Sequence, residues 1–225
     1  MNVLTPNSDG AGAEPPLASA GIDPDALRTR PVQQRSTQRV TLLLDAAAAL
    51  IDEKGIDGLT TTDVATTSDS SVGVVYRYYP NIQSLLLALA ARNLERFMAR
   101  ATAVIETEGG QWLDGLDPVL DLSVDMMRTE PGFRALRFGA LIDHRTIDGA
   151  TSAHADLTSR FVDSAVSRYG IPDTPQLRLD VEVAVEVSEA LVQRAFETDP
   201  HGDERFIARA RELMHHVLTS HSVDA

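Results

Sequence analysis

The sequence predicts an all-α chain, and three observations carry that prediction. Over long stretches the apolar residues recur three and four positions apart, the period of one buried helical face. Hydroxyl and acidic residues stand where these stretches begin, and glycine or proline where they stop. Residues 177–187 do alternate apolar and polar as a strand would, but no other stretch offers them a partner. An unpaired strand leaves its backbone groups unsatisfied, so residues 174–196 are expected to be a helix with apolar residues on more than one side.

Residues 1–30 are rich in Pro, Gly, Ala and Ser and show no apolar period, so a disordered tail is expected there. From residue 36 to 54, Val40, Leu43, Leu44, Ala47, Leu50 and Ile51 mark a helix that Gly55 stops. Ile56 and Leu59 then plug a small core that includes Leu43, Leu50, Val64, Val75 and Leu85. Thr60, Thr61 and Thr62 ahead of Asp63 supply a hydroxyl cap and an acid in the first turn of a short helix. Asp69, Ser70 and Ser71 give a turn and a fresh cap, and residues 72–79 form a second short helix. Pro80 ends it, and Asn81 caps a third helix over residues 82–106 that is long enough to leave one unit and enter another.

Beyond it, Trp112, Leu113 and Leu116 are expected in a loop, followed by helices over 118–129, around Phe133 to Leu141, over 151–169, over 174–196 and over 203–220. Leu157, Phe161, Ala165 and Tyr169 form a narrow stripe on the 151–169 helix.

Two short helices at a sharp angle bury little surface, and the arrangement has a use when the second projects its first turn into the DNA major groove. Val72, Gly73 and Val74 are small there, and Tyr76, Arg77, Tyr78 and Tyr79 follow as hydrogen-bond donors for phosphate. The run from Arg35 to about Arg92 resembles the N-terminal DNA-binding domain of the TetR family of bacterial transcriptional regulators. The resemblance rests on Gly55, Leu59-Thr60-Thr61, Val64-Ala65, Ser71-Val72-Gly73, Tyr76-Arg77-Tyr78-Tyr79-Pro80-Asn81 and Leu85-Leu86 in that order and spacing. It departs from the family pattern at Thr67, commonly arginine, at Asp69, commonly glycine, at Ser70, commonly apolar, and at Ile82, commonly lysine. Asp69 can take the left-handed turn conformation.

The resemblance implies a tail (1–30), a helix-turn-helix DNA-binding domain (31–83) and a helical effector-binding and dimerisation domain (84–225). It implies a homodimeric repressor on a pseudo-palindromic double-stranded DNA operator, released by a small apolar or amphipathic effector. The last two helices would form a four-helix bundle with their copies in a second subunit. The DNA-binding residues are then Arg35, Arg39, Thr61, Thr62, Ser71, Val72, Gly73, Val74, Tyr76 and Tyr78. Tyr76 contacts the backbone, Thr61 caps the first short helix and meets a phosphate, Thr62 points toward the groove, and Val72 and Val74 meet thymine methyl groups. Trp112, Met126, Met127, Phe133, Phe138 and Phe161 are expected to line the effector pocket, though large apolar residues of a helical domain are first of all core.

Charge sets a condition on this reading. The 225 residues carry a net −13, the wrong sign for a chain that coats DNA. Residues 1–25 hold four acids and no base, residues 26–82 six of each, and residues 83–225 14 bases and 23 acids, so the acidity lies mainly outside the reading head. Arg28, Arg30, Arg35 and Arg39 follow one another with no acid between, a basic arm on which a neutral head would rely. The alternative is a helical ligand-binding or protein-interaction dimer with a degenerate head.

Zero cysteines exclude disulfides, thiolate metal sites and thiol catalysis, and suit a reducing cytoplasm. Neither a membrane span nor a signal peptide is read. Glu212, His215 and His216 fall near one helical turn but without a HExxH pattern, so a solvated helix end is expected and no metal. No phosphate-cradling glycine loop, GxSxG or spaced acid pair is present, and neither an enzyme nor a cofactor is expected.

Overall fold

The structure, a computed structural model, describes residues 24–107, 110–136 and 148–221. The chain divides into two units, residues 1–39 and 40–225. Helix α1 (Pro24–Lys54) runs through that boundary, and α2 (Thr61–Thr67), α3 (Val72–Tyr78), α4 (Ile82–Thr107), α5 (Leu116–Thr129), α6 (Asp148–Tyr169), α7 (Pro175–Phe196) and α8 (Glu204–Leu218) follow. The described residues contain no strand. None of their helices is long and apolar enough to cross a membrane.

In the first unit, α1 begins at Pro24, whose fixed φ and missing N–H suit a first helical position. It therefore takes in residues 24–30 of the stretch expected as a tail. Residues 1–23 lie outside the described residues.

The second unit has two apolar cores. The smaller one buries Leu43, Leu50, Leu59, Val64, Val75 and Leu85, as expected from the helical period, with Leu86, Leu89 and Tyr79. The larger one is built from α4 to α8 and buries Phe97, Ala101, Ile105, Met126, Val162, Val181, Ala210 and Leu218 among others. Helix α4 serves both, through Leu85 and Leu89 near its start and Phe97 and Ile105 further on.

The alternating stretch is helical. Thr174 caps α7 by accepting from the Leu177 N–H (3.1 Å), and Pro175 opens it. Leu177, Val181, Ala184, Ser188 and Val192 are buried, a helical stripe, while Leu179 and Val183 face outward at 52% and 38% exposure. Asp203 caps α8 through the Arg205 N–H (2.9 Å), and α7 and α8 pack along each other.

Three local expectations change. Residues Trp112–Gly115 form a 3-10 turn rather than a loop, with the Gln111 N–H held by Asp114 Oδ2 (2.8 Å). Helix α5 starts at Leu116, ahead of Pro118, because a proline in the first turn lacks only an N–H that has no helical partner there. Residues 131–136 make turns instead of the start of a helix, since Gly132 adopts φ +72° and its N–H donates to Asp52 Oδ1 of α1 (3.0 Å). Residues 137–141, the rest of that expected helix, lie outside the described residues.

This turn is seated on the smaller core. Leu136 is buried there, and a Cβ on Gly132 would lie 3.3 Å from Ala48 Cα and 3.6 Å from Leu89 Cδ2. Gly132→Ala therefore combines a left-handed backbone with a tight contact. Gly55→Ala, at φ +78° with nothing within 4 Å, carries the backbone strain alone. The expected result in urea denaturation is a loss for Gly132→Ala that exceeds that of Gly55→Ala by about 1 kcal/mol or more.

The α8 cap gives a pH dependence. The Arg205 guanidinium, followed by the Arg205 backbone N–H, lowers the Asp203 carboxyl from 3.8 to about 2. A depressed carboxyl stabilises the fold above its unfolded value and loses that contribution as pH falls through its folded one. Asp203→Asn keeps a capping side chain but no charge, so its deficit against the parent should shrink between pH 3.8 and about 2 when denaturation midpoints are compared.

Candidate functional site

The second unit presents a surface of two short helices, and its geometry is fixed by caps. Thr60 and Asp63 close a reciprocal box at the start of α2: the Asp63 N–H donates to Thr60 Oγ1 (3.2 Å) and the Thr60 N–H to Asp63 Oδ2 (3.1 Å). Thr60 is thus the cap, not Thr61, because only Thr60 stands three residues ahead of an acid. Lys54, the last residue of α1, reaches the same carboxylate at 2.6 Å. The Lys54 contact, then the Thr60 hydroxyl, hold Asp63 below its ordinary value, and the helix start is tied to the end of α1.

Between the helices Asp69 adopts φ +48°, the left-handed conformation expected of it, and the Ser70 N–H donates to Ala65 O (2.8 Å). Ser71 then caps α3 by accepting from the Val74 N–H (3.3 Å). At the other end the Ser84 N–H donates to Asn81 Oδ1 (2.8 Å), which caps α4 as expected.

These constraints set what α3 shows. Val75 is buried, and Val72 and Val74 are half-buried. Val72 leans on the core, so the pair divides its apolar surface between packing and solvent. Gly73 is exposed, and a Cβ on it would meet only Ser71 Oγ at 3.9 Å. Among the described residues nothing requires glycine there.

Tyr76 is 52% exposed, and its hydroxyl accepts from Thr61 Oγ1 across the turn (3.3 Å). It can still donate its own proton outward. Sequence spacing gave no sign of this Thr61–Tyr76 link. Thr62 is exposed on the first turn of α2. The Arg77 guanidinium sits 5.1 Å from the Tyr78 ring centroid and donates to the Tyr78 hydroxyl (3.4 Å).

Two residues are used otherwise than expected. Tyr79 is 8% exposed and belongs to the core, so it is no donor at the surface. Ile82 packs against the same core, which accounts for an apolar residue at the place of the family's lysine. Arg39 is half-exposed, and the Arg35 side chain lies outside the described residues.

A cavity of about 80 Å³ lies within the larger core. Helix α4 contributes Leu94, Phe97 and Met98, α5 Leu120, Ser123 and Met127, α6 Leu157 and Phe161, α7 Val181, Val185, Ser188 and Glu189, and α8 Met214 and Leu218. Of the expected pocket residues, Met127 and Phe161 are here. Trp112 lines a smaller void of about 10 Å³ beside Phe161. Met126 and Phe133 are buried in the larger core without lining the cavity, as adjacent residues on a helix such as Met126 and Met127 point about 100° apart. Phe138 lies outside the described residues. The α7 and α8 contributors went unrecognised because the same helical period marks plain core.

The C-terminal histidines have carboxylate neighbours. His215 Nε2 lies 2.8 Å from Asp117 Oδ1 and His221 Nε2 2.7 Å from Asp180 Oδ2.

Comparison with known proteins agrees with this geometry. Residues 43–89 match the family model described as bacterial regulatory proteins, tetR family, and residues 110–222 match the tetracyclin repressor-like C-terminal domain. A TetR-family transcriptional regulator from Streptomyces coelicolor is 38% identical, with a TM-score of 0.64 over 81% of this chain and 99% of that one. The HTH-type transcriptional repressor KstR of Rhodococcus jostii is 26% identical over 77% of this chain and 76% of its own length. FadR from Bacillus subtilis, solved in complex with stearoyl-CoA, shares the fold, with a TM-score of 0.64 at 15% identity over 80% of this chain and 97% of that one. Regulators of this kind bind DNA operators and small-molecule effectors and act as dimers. The chain belongs to the TetR family of ligand-responsive, DNA-binding transcriptional regulators.

Proposed function

We propose that this regulator is a cytoplasmic repressor that holds a pseudo-palindromic operator as a homodimer and lets go when a small apolar or amphipathic effector enters the α4–α8 cavity. In this reading residues 31–83 are the reading head and residues 84–225 the effector and dimerisation part. The observation that carries the DNA reading is the outer face of α3, where Gly73 is exposed and Tyr76 stands with a proton to donate. A glycine with no steric cause among the described residues suits close approach to a nucleic-acid backbone, and a tyrosine hydroxyl suits a phosphate.

Thr61 acts by holding Tyr76 in place. Ser71, Thr62, Val72, Val74 and Tyr78 frame the contact, and Arg35 and Arg39 add phosphate contacts of their own. The outward Leu179 and Val183 of α7 are the apolar surface a second subunit would cover. Repression is favoured over activation by the likeness to KstR, which is named a repressor. Release is explained by differential affinity: an effector that prefers a cavity shape incompatible with the DNA-bound spacing of two heads shifts the population through α4, which is packed into both cores.

Electrophoretic mobility shift on the DNA upstream of its own gene tests this reading. Tyr76→Phe, which removes one phosphate donor, should weaken a sequence-specific complex roughly threefold to tenfold. Gly73→Ala should weaken it at least about tenfold, while the urea midpoint holds or rises, since alanine favours a helix by about 1 kcal/mol. Replacing Arg35 and Arg39 together with alanine should lower the slope of log affinity against log salt by roughly 2. Unchanged binding by the Tyr76 and Gly73 variants would sink the proposed contact surface.

A further inference from the structure

A second, polar pocket of about 230 Å³ shares a wall with the apolar cavity. Among the described residues it is lined by Met127 of α5, Arg134 and Ala135 of the turn that follows, and Gln193 and Phe196 of α7. Met127 is the one described side chain that lines both spaces. Gln193 links them a second time, because its Nε2 donates to Glu189 on the cavity wall (3.1 Å). Spaces divided by an unbranched methionine can open into one, since that side chain turns about several bonds and repacks at little cost. Arg134 gives the pocket its charge. It donates from Nη1 to Pro200 O (3.1 Å) in the connection between α7 and α8. Arg128 holds the same connection through His201 O (2.8 Å), but it is also paired with Glu204 (2.7 Å). Arg134 has no carboxylate partner among the described residues. A guanidinium carries more N–H donors than one carbonyl takes up, and a carbonyl leaves its charge unbalanced.

We propose that the Arg134 pocket seats the anionic head, a carboxylate or phosphate, of an amphiphile whose apolar chain lies in the α4–α8 cavity, with Met127 as the divider that turns aside. This rests on the reading of the cavity as the effector site, and adds the class of effector and the place of its polar end. The orientation follows from the two linings. No described side chain of the cavity is basic, so a head buried there would lose its hydration and meet no cation. An apolar chain along Phe97, Met98 and Leu157 gains by leaving water. The pocket offers the reverse, a guanidinium able to form charge-assisted bonds to an anion, in a fork that matches carboxylate and phosphate oxygens. The same placement bears on release of DNA. Arg134 belongs to the turn whose Gly132 N–H is held by Asp52 of α1 and whose Leu136 is buried in the smaller core. A head bound to Arg134 therefore acts on a turn that already touches the helix-turn-helix core, in addition to the path through α4.

Compounds that share one ten-carbon chain test the assignment on the full chain by calorimetry. Decanoate, decanoyl-CoA, decanol and decylamine are titrated, with acetate as a head lacking the chain. The better of the two anions should bind roughly tenfold or more tighter than decanol, and decylamine should bind more weakly than decanol. Which anion leads tells a carboxylate head from a phosphate one, and either supports the subsite. Acetate should bind at least about a hundredfold more weakly than decanoate, because the chain supplies the apolar burial. Arg134→Gln should lower the affinity of the leading anion roughly tenfold and leave decanol within about twofold. Decanol or decylamine binding at least as tightly as both anions overturns the anionic head and leaves the effector cavity standing. So does an anion affinity unchanged in a folded Arg134→Gln protein, or a loss shared equally by decanol, which marks Arg134 as structural. Acetate matching decanoate makes the pocket an anion site unconnected with the cavity and overturns the shared ligand. Failure of every ten-carbon compound to bind overturns both the head assignment and the reading of the cavity beneath it. Where Arg134→Gln does not fold, the ranking on the parent protein decides.

Discussion

The apolar side of α4 has to be buried in two cores at once, and the architecture of the second unit follows from that. Leu85 and Leu89 close the helix-turn-helix core, while Phe97, Ala101 and Ile105 close the larger one. A single rigid helix spanning both means that neither core can repack around it without loading the other. The turn at residues 130–136 adds a second tie, because the Gly132 N–H is held by Asp52 and Leu136 sits in the smaller core. Helix α1 is thereby fastened to the turn that follows α5 through a hydrogen bond, at a place where a side chain on Gly132 would crowd Ala48. The cavity is lined by this same α4 and by α5, directly ahead of that turn.

The reading head is held mainly by capping. Helices of seven residues are too short to be stable alone, and α2 and α3 bury only Val64, Ala65 and Val75 on their inner faces. What fixes them is the Thr60–Asp63 box, the Ser71 cap and the left-handed Asp69 between them. Lys54 is spent on Asp63, so one of the few cations of the head works for the fold. That matches the neutral charge of residues 26–82 and leaves the surface of α3 to be defined by shape and hydroxyl groups more than by charge.

In the larger core, cavity and packing draw on one set of side chains. Methionine and phenylalanine fill irregular space between helices, and the void they leave has walls of the same composition as the filled region. Its chemical character comes instead from the few polar atoms that face it. Ser188 and Glu189 lie on the helix that also shows Leu179 and Val183 to the outside, so one element carries part of the cavity wall and an apolar outer surface.

The sequence by itself determined the helical class and the caps at Ser71 and Asn81, because these depend on residues within four positions of one another. It also determined the small core, since an apolar period names the inner face of a helix whatever that helix packs against. The left-handed Asp69 was readable for the same local reason. Tertiary structure decided the rest. The Thr61–Tyr76 link spans 15 residues and Asp52–Gly132 spans 80, distances over which no periodic pattern carries information. Tyr79 and Ile82 turned inward, and among the described residues of the expected pocket Met127 and Phe161 came to the cavity while Met126 and Phe133 did not, because which of two adjacent apolar residues faces a neighbour depends on how helices are rotated against each other.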